Sequence, residues 1–444
     1  MARKMKDSGI EWIGEIPEGW EIVPVRSCFD EVRTKNTDGQ EQNALQFKSG
    51  NIISKTNFNA SMDDYVADTI TNYTVVLPDT VMINGLNLNY DFKSLRVALV
   101  KEKGVITSAY LAIFPDRKKI SPQYATYLFK GYETKMAFHN MGAGIRKTLG
   151  YKEFKNQPLL LPSEKEQNKI SAYLDSKCSH IDIMLSKIRS SIEEYKKLKQ
   201  TVITQAVTKG VHGKREMKDS GVEWIGEIPK EWSVSPMKHF IDILPGYAFS
   251  SDDFCIEEGI PLLRGINVGV NEIRWDETVR WNHSISKQLE SFFLKENDLV
   301  VGLDRPWISD GTRVAFIAKK DLPCLLLQRV CRIRTRCNFD IRWIYYWLSG
   351  SSFKDSLSTE TTGISVPHIS TKQIEQFIVA FPNLLEQTQV CNYLDAKCAE
   401  IDKLIAKKEQ LIKELESYKK SLIYEVVTGK REIFTDITRK FPNI

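Results

Sequence analysis

The sequence predicts an α+β fold in which two mixed-sheet domains are joined by two long helices. The helices are expected to pair as an antiparallel coiled coil, within an internal repeat of approximate two-fold symmetry. Three observations predict this. The phrase MKDSGIEWIGEIPEGW at residues 5–20 returns as MKDSGVEWIGEIPKEW at 217–232. A second phrase, LPSEKEQNKISAYLDSKCSHID at 161–182, parallels FPNLLEQTQVCNYLDAKCAEID at 381–402 without a gap. Each second phrase runs on into a polar stretch free of Pro and Gly, with apolar residues at heptad steps. Both copies then reach GKRE, at 213–216 and 429–432.

At 444 residues the chain exceeds one ordinary core, and length alone suggests about three domains. A hydrophobic content of 42% and a charged content of 27% are those of a soluble globular chain. Apolar runs such as PLLLP stop far short of the roughly 20 residues that span a membrane. The start, MARKMKDSG, has no apolar core behind its basic residues and does not read as a signal peptide. No Cys-x-x-Cys pair occurs among the eight cysteines, which favours reduced thiols in a cytoplasm over a disulfide or zinc framework. A net charge of +5 is compatible with nucleic acid without requiring it.

The opening phrase packs Trp12, Ile13, Ile16 and Trp20 around Gly14 and Pro17, an apolar clip. The second MKDSG follows the first GKRE directly, whereas the chain ends soon after the second. The first clip is therefore expected to dock near the end of the second long helix, and the second clip near the end of the first. The body that follows, up to residue 160, alternates β-branched runs such as TVVLPDTVMIN, LRVALV and GVITSAYLAIF with turn residues, as a mixed sheet would. A probable helix at 121–138 and a Gly loop at 142–147 close it. In the first long helix, Ile181, Leu185, Ile188, Ile192 and Tyr195 form a seam. The second body has the same outline, with strands RVAFIA and RVCRIR, a helix at 341–357 and a Gly loop at 361–368. In the second long helix the seam is expected at Leu404, Lys408, Leu411, Leu415, Tyr418 and Leu422. A run of roughly 45 residues would be about 68 Å long, and so polar a helix needs a partner for its seam. The resulting division is 1–160, 161–212, 213–380, 381–432 and a tail at 433–444.

While the frame is written twice alike, the bodies scarcely agree. VMINGLNLNYDFKSLR has no counterpart in LVVGLDRPWISDGTR beyond its position. One mount carrying two different heads is the natural reading; a coiled-coil adaptor whose bodies bind proteins is the alternative.

These residues resemble the DNA-specificity subunit of type I restriction–modification enzymes. The likeness spans nearly the whole chain and rests on the order, twice over, of GxEWIGEIPxxW, the Gly loop, the P…EQ…YLD.K…ID helix opening and GKRE. The resemblance implies two target-recognition domains, each reading one half of a bipartite, asymmetric DNA sequence. It further implies a helical spacer that docks two modification (methyltransferase) subunits and, with them, ATP-dependent restriction subunits. A self-sufficient methylating enzyme would need a glycine-rich cofactor loop and an Asn/Asp-Pro-Pro-aromatic tetrad, and neither is present; nor is GxxxxGK[ST]. The chain is accordingly expected to be non-catalytic and to hold no cofactor or metal. S-adenosylmethionine and ATP with magnesium would belong to partner subunits.

Bases are read at their edges, chiefly by Arg or Lys on guanine and Asn or Gln on adenine, while phosphate contacts set register. Candidates in the first body are Asn84, Asn87, Asn89, Tyr90, Lys93 and Arg96 in one loop, with Arg146 and Lys147 in the Gly loop. In the second body they are Arg305, Trp307 and Arg313, then Arg264, Asn267 and Arg274, with His368 in the place of the Arg146–Lys147 loop.

Overall fold

The computed structural model describes residues 3–55, 70–142, 147–308, 311–336, 339–358 and 368–433. They divide into two compact units, one drawn from 1–188 and 410–444, the other from 189–409.

In the first unit the main sheet is antiparallel, in the order Phe29–Glu31, Leu111–Pro115, Val81–Ile83, Val97–Leu99. Its inward face, with Phe29, Val81, Ile83, Val97 and Ile113, packs on the helix Pro122–Thr134. Pro122 suits the first turn of that helix, where no amide partner is needed, and the Ser121 hydroxyl caps Tyr124 N. The second unit repeats the order with Ile241–Pro245, Val330–Thr335, Leu299–Gly302 and Val314–Phe316, again antiparallel. Its helix, Ile341–Ser349, is capped by Asp340 and stops at Gly350, so the single helix expected over 341–357 is two, the next being Ser351–Ser358. Among the strands of the described residues, parallel pairing occurs only in the second unit's other four-stranded sheet, Leu262 with Leu325 and Leu263 with Leu326.

The two long helices are Glu164–Lys209 and Leu384–Val427. Each ends before a left-handed glycine, Gly210 at φ 76° and Gly429 at φ 71°, the backbone geometry that lets a helix stop. In the first unit Ile181 and Leu185 share a core with Leu422 and Ile423, and Lys419 Nζ meets Asp182 at 2.6 Å. In the second, Lys199 meets Asp402 at 2.7 Å, and His212 Nε2 lies 3.1 Å from Gln389 Oε1. As numbers rise on one helix they fall on the other, so the pairing there is antiparallel.

The seam expected on the second helix is corrected at alternate members. Leu404, Leu411 and Tyr418 are exposed, while Ile401 and Leu422 are buried and Ile405, Lys408, Ile412 and Leu415 half-buried. Two neighbouring stripes both carry apolar residues at steps of three and four, and that spacing alone does not say which faces inward.

The repeated helix opening has one task per residue. In the first unit Trp20 Nε1 donates to Glu166 Oε2 at 2.9 Å, and Arg3 pairs with the same carboxylate at 2.6 Å. Gln167 Oε1 accepts from Ser121 N at 2.8 Å, fixing the start of the body helix, and Tyr127 OH donates to Asp175 at 2.7 Å. The second unit uses Glu386 with Arg215, Gln387 with Asp340 N, and Asp395 with Tyr346 in the same ways.

The opening phrases dock where the order of the repeat requires. Tyr424 OH donates to Trp12 O at 2.7 Å, and a Cβ on Gly429 would fall 2.3 Å from Pro17 Cγ. In the second unit the corresponding neighbour of Gly210 is Trp232, 3.3 Å from the position of a Cβ. Among the described residues, no helix is long and apolar enough to cross a membrane, and the cysteines are free.

Candidate nucleic-acid interface

Two segments with little sequence in common beyond their closing Arg96 and Arg313 occupy one topological place. The loop 84–96 joins Val81–Ile83 to Val97–Leu99, and the loop 303–313 joins Leu299–Gly302 to Val314–Phe316. Each is met by the segment following its Gly loop: Leu149 N donates to Gly85 O at 2.9 Å, and Ile369 N to Leu303 O at 2.9 Å. The described residues of these loops thus come together at one end of each sheet.

Arg96 organises the first loop. Its side chain is 1% exposed, and Nη1 donates to the carbonyls of Asn84 at 2.9 Å and Leu86 at 2.8 Å. Nη2 reaches Asp91 O, and the Asp91 carboxylate lies 3.7 Å away. Asp91 in turn accepts from the backbone N–H groups of Lys93 and Ser94. Hydrogen bonds from Ser94, hydroxyl and backbone, bring its carboxyl down to about 2 against the effect of burial, with help from Lys93 N and Arg96. The expectation that Arg96 touches DNA is therefore corrected: its guanidinium is spent on carbonyls inside the loop. What the loop displays is Asn87, at φ 52°, with Tyr90, Phe92, Lys93 and Leu95, all exposed. Asn84 and Asn89 are half-buried. Phe92 stacks on His139 with centroids 5.1 Å apart, and an open cleft of about 360 Å³ is lined by Phe47, Ser49, Asn84, Lys93, Ser94 and Leu95. Lys147 is exposed at φ 39°, while Arg146 lies outside the described residues.

The second surface is more strongly charged. Arg305, Arg274 and His368 are exposed, and Arg264 is half-buried with Nη2 on Glu277 O. Arg274 pairs with Glu272. Asn267 is corrected to a structural role: 2% exposed, it accepts from Arg264 N at 3.0 Å and donates to Arg274 O at 2.8 Å, closing its own loop. Arg313 ties two loops together, Nε to Val268 O at 2.8 Å and Nη1 to Asp304 O at 3.1 Å. Burial lowers the pKa of this guanidinium, and Asp304 opposes the shift. Trp307 is half-buried, its ring 6.1 Å from Phe353, so it props the loop against the core.

Sequence reasoning missed Arg329 and Asp304. Arg329 opens the expected strand RVCRIR, yet it turns out of the sheet at φ 67°. A Cβ on Gly246 would fall 2.0 Å from Leu327 O, and this close crossing beside the turn was the signal available in the sequence only as a lone glycine. A cleft of about 570 Å³ in the second unit lies elsewhere, at the long helices, and its charges are paired, Lys199 with Asp402 and Arg342 with Asp395. No group of three or more potential metal ligands occurs among the described residues.

A repeated frame carrying one divergent, backbone-tied loop per unit defines a class of duplicated scaffold with two unlike surfaces. Residues 229–417 match the family model described as the type I restriction modification DNA specificity domain. The MjaVIII specificity subunit of Methanocaldococcus jannaschii is 27% identical over 94% of this chain and 93% of its own. The EcoAI specificity subunit of Escherichia coli is 34% identical over 46% of this chain and 32% of its own. A solved chain, described under complex assembly and conformational transition of the type I R-M system, superposes with a TM-score of 0.67. It is 15% identical, covers 94% of this chain and 99% of its own, and shows likeness of fold alone. The chain is thus similar, over nearly its whole length, to type I restriction–modification specificity subunits.

Proposed function

We propose that the chain is the non-catalytic, sequence-specific DNA-binding subunit of a type I restriction–modification complex. The bodies 1–160 and 213–380 each read one half of a bipartite, asymmetric duplex target. The helices 161–212 and 381–432 set the unread spacer and dock two modification subunits, through which restriction subunits join. S-adenosylmethionine and ATP with magnesium serve those partners, and the complex works in the cytoplasm. The observation that carries this reading is the shared topological place of the unlike loops 84–96 and 303–313 on a frame repeated in both units. In the first unit we assign contact with DNA to Asn84, Asn87, Asn89, Tyr90, Lys93, Lys147 and Arg146. In the second we assign it to Arg264, Arg274, Arg305 and His368.

Affinity for duplex DNA as a function of salt tests the reading, because each neutralised phosphate releases counterions and steepens the dependence. The full chain with its modification partner should bind duplex with a steep negative slope in log salt. Salt-independent binding, or none, would favour a protein-binding adaptor.

A further inference from the structure

Asp304 is out of place on a surface that faces phosphates, where a carboxylate repels the ligand. Its oxygens are both engaged: Oδ1 lies 2.6 Å from His368 Nδ1, and Oδ2 accepts from Arg329 Nη1. Burial alone would raise its pKa, but hydrogen bonds from Arg329 and His368 outweigh this and hold the carboxyl below its usual range. The backbone fastens the same three residues. Asp304 and His368 form an antiparallel bridge, and Leu303 N donates to Arg329 O at 2.9 Å. Three segments remote in sequence therefore meet at one side chain, which is 27% exposed, whereas Arg329 and His368 remain 68% and 54% exposed. Arg305 and Arg329 both hold left-handed backbone, φ 45° and 67°, which non-glycine residues adopt rarely. Conformations of that kind persist where surrounding structure over-determines them, and they cluster at functional sites.

The geometry points to Asp304 as a positioning residue that holds Arg329 and His368 side by side, with Arg329 reading a guanine edge in the second half-site. The inference rests on the proposed DNA-binding function. Asp304 occupies Nη1 of the Arg329 fork and fixes its plane, leaving the remaining donors for the O6 and N7 acceptors of guanine. The paired Nδ1 of His368 likewise turns its Nε2 away from Asp304, toward the ligand side.

The test uses the full chain in complex with its modification partner, two duplexes and two variants. One duplex carries the target mapped from wild-type methylation and the other a random sequence. Asp304→Asn removes a negative charge, so affinity for the random duplex should hold or rise. Affinity for the target should fall, reducing discrimination roughly tenfold, the scale of one bidentate contact. Arg329→Lys keeps the charge and loses the fork, so discrimination should fall with the salt slope unchanged. In both variants, methylation mapping should show one guanine-containing position of the second half-site relaxed and the first half untouched. Asp304→Asn binding both duplexes more tightly in equal measure would reduce the carboxylate to simple repulsion and overturn the inference. Equal weakening on both, or an Arg329→Lys variant with wild-type discrimination, would overturn it as well. A wild-type complex that fails to distinguish the duplexes would instead refute the DNA-binding function itself.

Discussion

Arg96→Met keeps most of the side-chain volume of the first reading loop and removes its tie. The lost contacts are those to the carbonyls of Asn84, Leu86 and Asp91, made by a side chain 1% exposed. A hydrogen bond from a charged donor contributes about 1.5–3 kcal/mol, and three would sum to about 5–9. Three bonds from one guanidinium are not additive, and the loss falls well short of that sum. A net loss of about 3 kcal/mol remains, concentrated on residues 84–96. Local opening by that amount corresponds to roughly a hundredfold faster amide exchange. Hydrogen exchange on the full chain should therefore show the Tyr90 and Asp91 amides, which donate to Asn87 O, losing protection. The second unit's amides, such as Ile369 N, should be unaffected. Methylation mapping should show the first half-site degraded alone. Unchanged exchange across 84–96, or equal loss of protection in both units, would refute the idea that this buried arginine orders the loop.

Two further perturbations probe the frame. Burial pushes the Glu133 carboxyl up to about 7, with Arg96 N and the charges of Lys130, Arg96 and Lys420 opposing. A folded value raised above the unfolded one favours folding fully below about pH 4.5, and that contribution is lost as pH rises through 7. Glu133→Gln should thus flatten the decline in stability between pH 5 and 8 and be more stable at pH 8 by up to about 3 kcal/mol in urea unfolding; an unaltered pH slope would count against the burial argument. At Gly131 a Cβ would fall 2.5 Å from Val427 Cγ2, a fully buried and stiff side chain. Gly131→Ala should cost about 1–2 kcal/mol net of its better helix propensity, and adding Val427→Ala should recover part of the loss of Gly131→Ala; simple additivity in the cycle would mean the close approach carries no strain.

Much of the frame was legible because it is written twice. The opening phrases, the long helices and the docking of each phrase beside a helix end followed from the order of the repeats. The repeat also held the remedy for the misplaced seam. Carrying the buried or half-buried positions Ile181, Leu185, Ile188, Ile192 and Tyr195 across the gapless match gives Ile401, Ile405, Lys408, Ile412 and Leu415, the stripe that turns inward. The loops proposed to read DNA fall at matching places in the two sheets, but the part each side chain plays in them was not legible. Which of Arg96, Asn267 and Arg313 faces inward depends on carbonyls that only the folded loop brings together, and residue type says nothing of that. Arg329 was hidden because a strand pattern continues through it, while the left-handed turn that frees it leaves no mark in a sequence lacking glycine there. Trp307, expected on the DNA surface, packs on Phe353 and sits against the core instead.

The central claim is that each unit reads its half-site independently on a shared mount. Replacing residues 24–160 with the corresponding body of another specificity subunit, and sequencing methylated positions in a host that carries the complex, tests it most directly. The account predicts a target with one half changed and the other intact. A target altered in both halves, or in neither, would contradict it.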